Sequence, residues 1–342
     1  MIEQRQPETT IVADTQSNVR GLDMGTSRIV MATSRDNRFQ FESQLNAFVS
    51  LPYSKVTEQM LNREQIMHKV DSNAILAYGN RVEQFANMLS GDTRRPMQTG
   101  LLNPNEPKSL EMIEVALRKM CGTAKPGEKI CFSVPSASES NESNLIYHER
   151  TITQILEKLG YAVTSLNEGL AVVYAELEDA NFTGIGVSFG GGMCNMCFAY
   201  LGMSVLSFAT DRAGDYIDHS AASVNSETPM TVRVRKEHGF ALNGLSTNTI
   251  DQALSVYYKD VIQAAVNKLE RALRESKKLP TMDRAMPLVI AGGTSQAGSF
   301  DAEFRKALAA KDLPIEISEV RVASDPLHTT AKGTLMAAML DA

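Results

Sequence analysis

The chain has 342 residues, 43% of them apolar and 22% charged, and a formal net charge of −6. That length exceeds what one small core carries and predicts two lobes, and the composition is that of an ordinary soluble globular protein. The acidic balance argues against direct nucleic-acid binding, since the Arg94-Arg95 pair is too short to reverse it; no run of eighteen apolar residues offers a membrane span.

Residues 1–17 are polar and mixed in charge and read as a mobile tail, with neither the apolar centre of a secretion signal nor the faces of an anchoring helix. "VRGLDMGTSRIVMATS" (Val19 to Ser34) predicts strand, tight turn and returning strand. Residues 35 to about 98 are less regular. They include "NAILAYGNRVEQFANML", a short strand followed by a helix-like pattern. Arg94 to Pro107 is loop-like, rich in Pro, Gly and Asn, and a helix is expected from Ser109 to Met120. "KICFSVP" (Lys129 to Pro135) predicts a buried strand. After the polar loop Ser136 to Asn144 comes a helix from about Leu145 to Leu159 that stops at Gly160. "YAVTSLNEG" returns as a strand and Leu170 to Asp179 as a helix. Glu168, in "NEG", is either a cleft residue or a cap for that helix.

"GVSFGGGMCN" (Gly186 to Asn195) predicts a hairpin turning on Gly190, Gly191 and Gly192. Three glycines let the backbone turn tightly and approach a neighbour closely, and turn amides of this kind make an anion-binding concavity. The four cysteines are Cys121, Cys131, Cys194 and Cys197. The last two spell C-x-x-C, but on a strand positions i and i+3 face opposite ways, so they are expected to be core thiols in a reducing cytoplasm rather than zinc or redox ligands. "RAGDYIDHSAASV" turns at Gly214 into a helix. The long segment from Thr249 keeps helical spacing through Leu254, Tyr257, Val261, Ala265, Leu269 and Ala272. "MPLVIAGGTSQAGSF" is a buried strand running into a glycine turn, and a last helix spans Thr329 to Leu340. Two strand–glycine-turn–strand units, one in each half, with a third glycine turn at Gly292-Gly293, predict a duplicated α/β fold around a central cleft.

In this order the motifs resemble the actin-like ATPase superfamily. "GLDMGTS" resembles its first phosphate loop, "GVSFGGGMCN" its second and "LVIAGGTS" its adenosine loop. "SLNEGLAVVYAELED" and "TTAKGTLMAAML" resemble its two connecting segments. "RRPMQTGLL" and the overall length are similar to the bacterial cytoskeletal actins of the MreB and MamK type. The resemblance implies an actin-like fold: two duplicated ribonuclease-H-like domains around a nucleotide cleft. Domain I would cover 18–166, with a small inserted subdomain at about 35–98. Domain II would cover 167–328, with an insert at about 216–255, and 329–342 would return to domain I.

The resemblance also implies ATP or ADP with Mg²⁺ in the cleft. Asp23 would face the metal's water shell. Gly25, Thr26, Ser27, Gly190, Gly191 and Gly192 would hold phosphates, Gly214 and Asp215 the ribose and phosphate side, and Gly292, Gly293 and Thr294 the adenosine. Arg235 and Glu237 match the adenine-side helix loosely. The residue orienting the attacking water would be Glu142, seven residues after Pro135, or Glu149 if the helix begins late. The pattern departs at Ser188, where the family carries an Asp, so hydrolysis is expected to be slow. The implied function is a cytoplasmic filament of head-to-tail subunits with an adaptor protein as partner. Two alternatives stay open: a non-polymerising nucleotide switch or scaffold, and a small-molecule kinase of the same fold.

Overall fold

The computed structural model describes residues 18–36, 38–82, 93–137, 142–244, 246–277, 279–280 and 284–340. The predicted tail 1–17 and most of the helix-like pattern ending at Leu89 lie outside the described residues. Among the described residues no helix is long and apolar enough to cross a membrane.

The first half opens on β1 (Val19–Met24), β2 (Arg28–Arg35) and β3 (Arg38–Leu45), a meander of antiparallel pairs. A separate four-stranded sheet follows, made of β4 (Phe48–Pro52), β5 (Met67–Asp71), β6 (Ala74–Tyr78) and β7 (Thr93–Arg94), with α1 (Lys55–Arg63) packed on it. The hairpin of β8 (Met97–Gln98) and β9 (Leu101–Leu102) leads to α2 (Ser109–Cys121). Then come β10 (Lys129–Val134), α3 (Glu142–Lys158) and β11 (Ala162–Asn167), and both strands join the first sheet in parallel. Its order is β11–β10–β1–β2–β3.

The second half repeats this plan. After α4 (Glu168–Glu176), β12 (Gly184–Phe189), β13 (Cys194–Tyr200) and β14 (Met203–Thr210) form an antiparallel meander. Three helices follow, α5 (Gly214–Asn225), α6 (Pro229–Glu237) and α7 (Thr249–Glu275). β15 (Met286–Ala291), α8 (Phe300–Ala309) and β16 (Ile317–Val322) complete a sheet of order β14–β13–β12–β15–β16. Again three strands are antiparallel and two parallel, so the two sheets share one topology. The helices between parallel strands follow from the chain reversal that parallel pairing requires.

All six residues of β12, "GIGVSF", are buried because this central strand is covered on both faces. Strand parity places Cys194 with Met196 and Phe198 in the core under α7, and Cys197 with Val172, Val173 and Val289 in the core under α4. The four cysteines are buried, and none of them forms a disulfide. In α7 the buried stripe is Leu254, Tyr258, Val261, Ala265, Leu269 and Leu273. Tyr257 and Ala272, expected in it, sit at its margin, because a 27-residue helix drifts against a fixed four-residue step.

The final helix, α9 (Thr329–Leu340), runs back to the first sheet and packs on β1 and β10 while lying along α4. Small residues let the backbones meet. A methyl at Gly333 would overlap the Ala171 carbonyl, and one at Gly21 would fall 2.7 Å from Leu335 Cβ. α4 in turn packs on β12 and β13, so the α4–α9 pair joins the two sheets.

Candidate functional site

Three turns far apart in sequence converge on one cleft of about 750 Å³: Gly25–Ser27 after β1, Gly190–Gly192 after β12, and Gly292–Thr294 after β15. Parallel strands put their C-terminal ends on the same side of each sheet, so the turns that follow them gather at one edge. The turns interlock. Gly214 N donates to Gly190 O at 3.1 Å, Asp215 N to Gly191 O at 2.7 Å, and Thr294 Oγ1 to Gly190 O at 2.8 Å. A Cβ at Gly191 would overlap the Ser27 hydroxyl, one at Gly192 would lie 2.9 Å from Gly100 N, and one at Gly214 2.7 Å from Thr294 Oγ1. Gly191 and Gly192 are required for the two halves to approach this closely, and Gly214 for the turns of the second half to pack on one another.

Of the residues expected from the sequence, Asp23, Gly25, Thr26, Ser27, Ser188, Gly190, Gly191, Gly192, Gly214, Asp215, Glu237, Gly292, Gly293 and Thr294 all line this cleft. Arg235 does not. Its guanidinium forms a bidentate pair with Asp251 at 2.7 and 2.6 Å and ties α6 to the first turn of α7. The helical step explains the correction: Arg233 and Lys236, three apart, share the cleft face with Glu237, and Arg235 falls between them on another face. Glu149 is also absent from the cleft. α3 begins at Glu142 rather than Leu145, so Glu149 stands about two turns in, where its Oε1 accepts a 2.5 Å hydrogen bond from Ser165 Oγ. Glu142 is the first residue of α3, and its side chain lies outside the described residues.

Two carboxyls face the cleft, Glu168 buried and Asp23 half-buried. Asp23 Oδ1 accepts from Ser133 Oγ at 2.9 Å, and that hydroxyl in turn accepts from Met24 N at 2.9 Å. Glu168, the first residue of α4, accepts from Asn195 Nδ2 at 2.8 Å and from Ser188. Asn195 Oδ1 accepts from Ser136 N at 2.8 Å. Burial pushes both carboxyls above the ordinary carboxylate range, and Asp23's charge pushes Glu168 further. Asp218 is raised to about 6 by burial, opposed by the Lys236 ammonium 2.6 Å from its Oδ1. Arg233 bridges Asp215 and Asp218 at 2.9 and 3.2 Å.

Sequence reasoning missed Asn195, Arg233, Lys236 and Asp218. The i, i+3 spacing of Arg233 and Lys236 about the buried Val232 is the signal that could have found two of them. Among the described residues no group of three or more His, Cys, Asp or Glu is placed to hold a metal ion directly. Asp23 and Glu168 fit a role through water instead. The glycine-lined cradle, with Ser27 at its wall and cations on α6, suits a polyphosphate.

A family model described as Volactin matches residues 19–338. The chain belongs to the volactin family. No curated protein sequence matches it significantly. Among solved structures, the MamK double helical filament aligns with TM-score 0.70 at 19% identity, over 94% of this chain and 98% of that one. MreB5 of Spiroplasma citri bound to AMPPNP aligns with TM-score 0.66 at 13% identity, over 92% and 94%. The ethanolamine utilization protein EutJ from Carboxydothermus hydrogenoformans aligns with TM-score 0.53 at 15% identity, over 93% and 88%. At these identities the likeness establishes the fold: this volactin-family chain has the actin-like ATPase fold.

Proposed function

We propose that the chain is an actin-like cytoskeletal protein of the cytoplasm. In this reading it binds ATP or ADP with Mg²⁺ between its halves, stacks head to tail into filaments and hydrolyses ATP slowly. The observation that carries the reading is the convergence of three glycine turns, with no room for a Cβ at Gly191, Gly192 or Gly214, on one cleft. The relatives support it: MamK is described as a double helical filament, and MreB5 is described bound to AMPPNP and to ADP. The two sheets are the cores of the two lobes, and the α4–α9 pair is the joint about which they turn.

The Gly25–Ser27 and Gly190–Gly192 turns bind the phosphates, and Gly292–Thr294 the nucleoside. Asp23 and Glu168 orient the waters around Mg²⁺. When bound, the metal spreads the charge that develops on the transferred phosphoryl group. Glu142 orients the attacking water. Ser188 donates to Glu168 and brings no charge of its own, which is the reason for slow turnover. An adaptor protein would supply any membrane link, and no direct nucleic-acid contact is invoked.

Light scattering at micromolar protein tests this. A rise above a threshold concentration on adding Mg-ATP, with slower decay than turnover-competent filaments show, is the expected result. A flat trace despite nucleotide binding would favour a non-polymerising switch, the reading that the uncharged Ser188 also suits.

A further inference from the structure

Arg94 and Arg95 are neighbours with opposite fates. Arg94 is paired with the Glu106 carboxylate and lies over the Phe48 ring, 4.8 Å from its centroid. Arg95 points to the junction of the two halves. Its Nη1 donates to Asp215 Oδ1 at 2.8 Å and lies 3.4 Å from Ser27 Oγ. The backbone here is held: Asn103 Nδ2 donates to Arg95 O at 3.3 Å, and Ser109 Oγ to Pro96 O at 2.6 Å. One guanidinium from the first half therefore touches the first glycine turn and the residue that docks on the second.

The Ser27 hydroxyl fills the space where a Gly191 side chain would stand, so the two phosphate turns touch at this point, and Arg95 lies beside the contact. Asp215 Oδ1 is shared: Arg233 Nη2 donates to the same oxygen at 2.9 Å. Asp215 stays neutralised if Arg95 leaves it. A planar guanidinium fork matches phosphate oxygens, and a terminal phosphate carries more charge than a carboxylate already paired elsewhere.

We propose that Arg95 reads the terminal phosphate of a nucleoside triphosphate, pairing with it when it stands against Ser27 in the cleft and with Asp215 when it does not. The inference rests on the nucleotide reading above. It makes the Arg95–Asp215 pair, an ion pair between the halves, depend on which nucleotide is bound.

The test measures AMPPNP and ADP affinities by calorimetry, with Mg²⁺, for the wild type, Arg95→Ala and Arg95→Lys. Arg95→Ala is expected to weaken AMPPNP tenfold or more, on the order of one charge-assisted pair, with ADP within about twofold of wild type. Arg95→Lys, a cation without the fork, should fall between. Equal weakening of both nucleotides, as loss of a merely structural bond would give, overturns the proposal, as does no change. If Arg95→Ala does not fold, Asp215→Asn decides: removing the competing acid should raise the AMPPNP-to-ADP affinity ratio, and an unchanged ratio overturns it. A wild type that binds neither nucleotide would instead defeat the nucleotide reading itself.

Discussion

Asn195 donates its side-chain amide to Glu168 Oε2 at 2.8 Å, and this bond aims a carboxyl from α4 into the cleft beside Asp23. The amide orients Glu168 without ionising it. Burial and the Asp23 charge keep its affinity for a proton high.

A pH dependence follows with a definite sign. Both carboxyls titrate higher in the folded protein than in the unfolded chain. Between the ordinary carboxylate range, about 4, and about 8, where Glu168 is placed, the folded apo protein binds more protons. Stability from this pair therefore falls as pH rises. Glu168→Gln keeps an acceptor for Asn195 and removes the titration. Apo melting temperatures from pH 5 to 8 should show the variant's advantage over wild type growing with pH. A constant difference would count against the assignment.

Ser188→Asp restores a carboxyl where the uncharged hydroxyl now faces Glu168. Three acids in one buried site repel, so the apo variant should melt lower than wild type. Added Mg²⁺ should then raise its melting temperature more than it raises the wild type's, and ATP turnover should rise by roughly tenfold or more. Identical Mg²⁺ responses would show that Ser188 lies outside the metal's reach.

Glu142 and Glu149 separate in a turnover assay. Glu142→Ala should slow ATP hydrolysis on the order of a hundredfold, the usual loss of a group that orients the attacking water. Glu149→Ala breaks the Ser165 bond and should cost about 1 kcal/mol of stability with turnover nearly unchanged. The reverse ranking would return the role to Glu149.

The joint between the halves should tolerate no methyl at Gly333. Gly333→Ala drives a Cβ into the Ala171 carbonyl, backbone against backbone, and overpacking of this kind costs about 1–3 kcal/mol or more. Gly244→Ala meets only Ala241 O at 3.6 Å and serves as the control. Denaturant titration should separate the two, and equal midpoints would remove α9 from the joint.

The three glycine turns, the buried strands and the long α7 were legible because each obeys a local rule: apolar runs for covered strands, helical period for α7, glycine where a backbone approaches. β3 was not, since "RFQFESQL" is mostly exposed and its pairing with β2, not its composition, makes it a strand. Nor was α6, a short helix of low apolar content stapled by Thr228 at its start and Arg235–Asp251 at its end.

The sequence by itself determined the order of turns and the duplicated α/β plan, because these depend on residue type and spacing along the chain. Only the tertiary structure decided that Glu168 stands beside Asp23, that Arg233 and Lys236 rather than Arg235 face the cleft, and that Arg95 reaches Asp215 across 120 residues. Such contacts depend on how two sheets dock through α4 and α9. Strand and helix periods fix which face a side chain takes on its own element, but docking sets which faces meet.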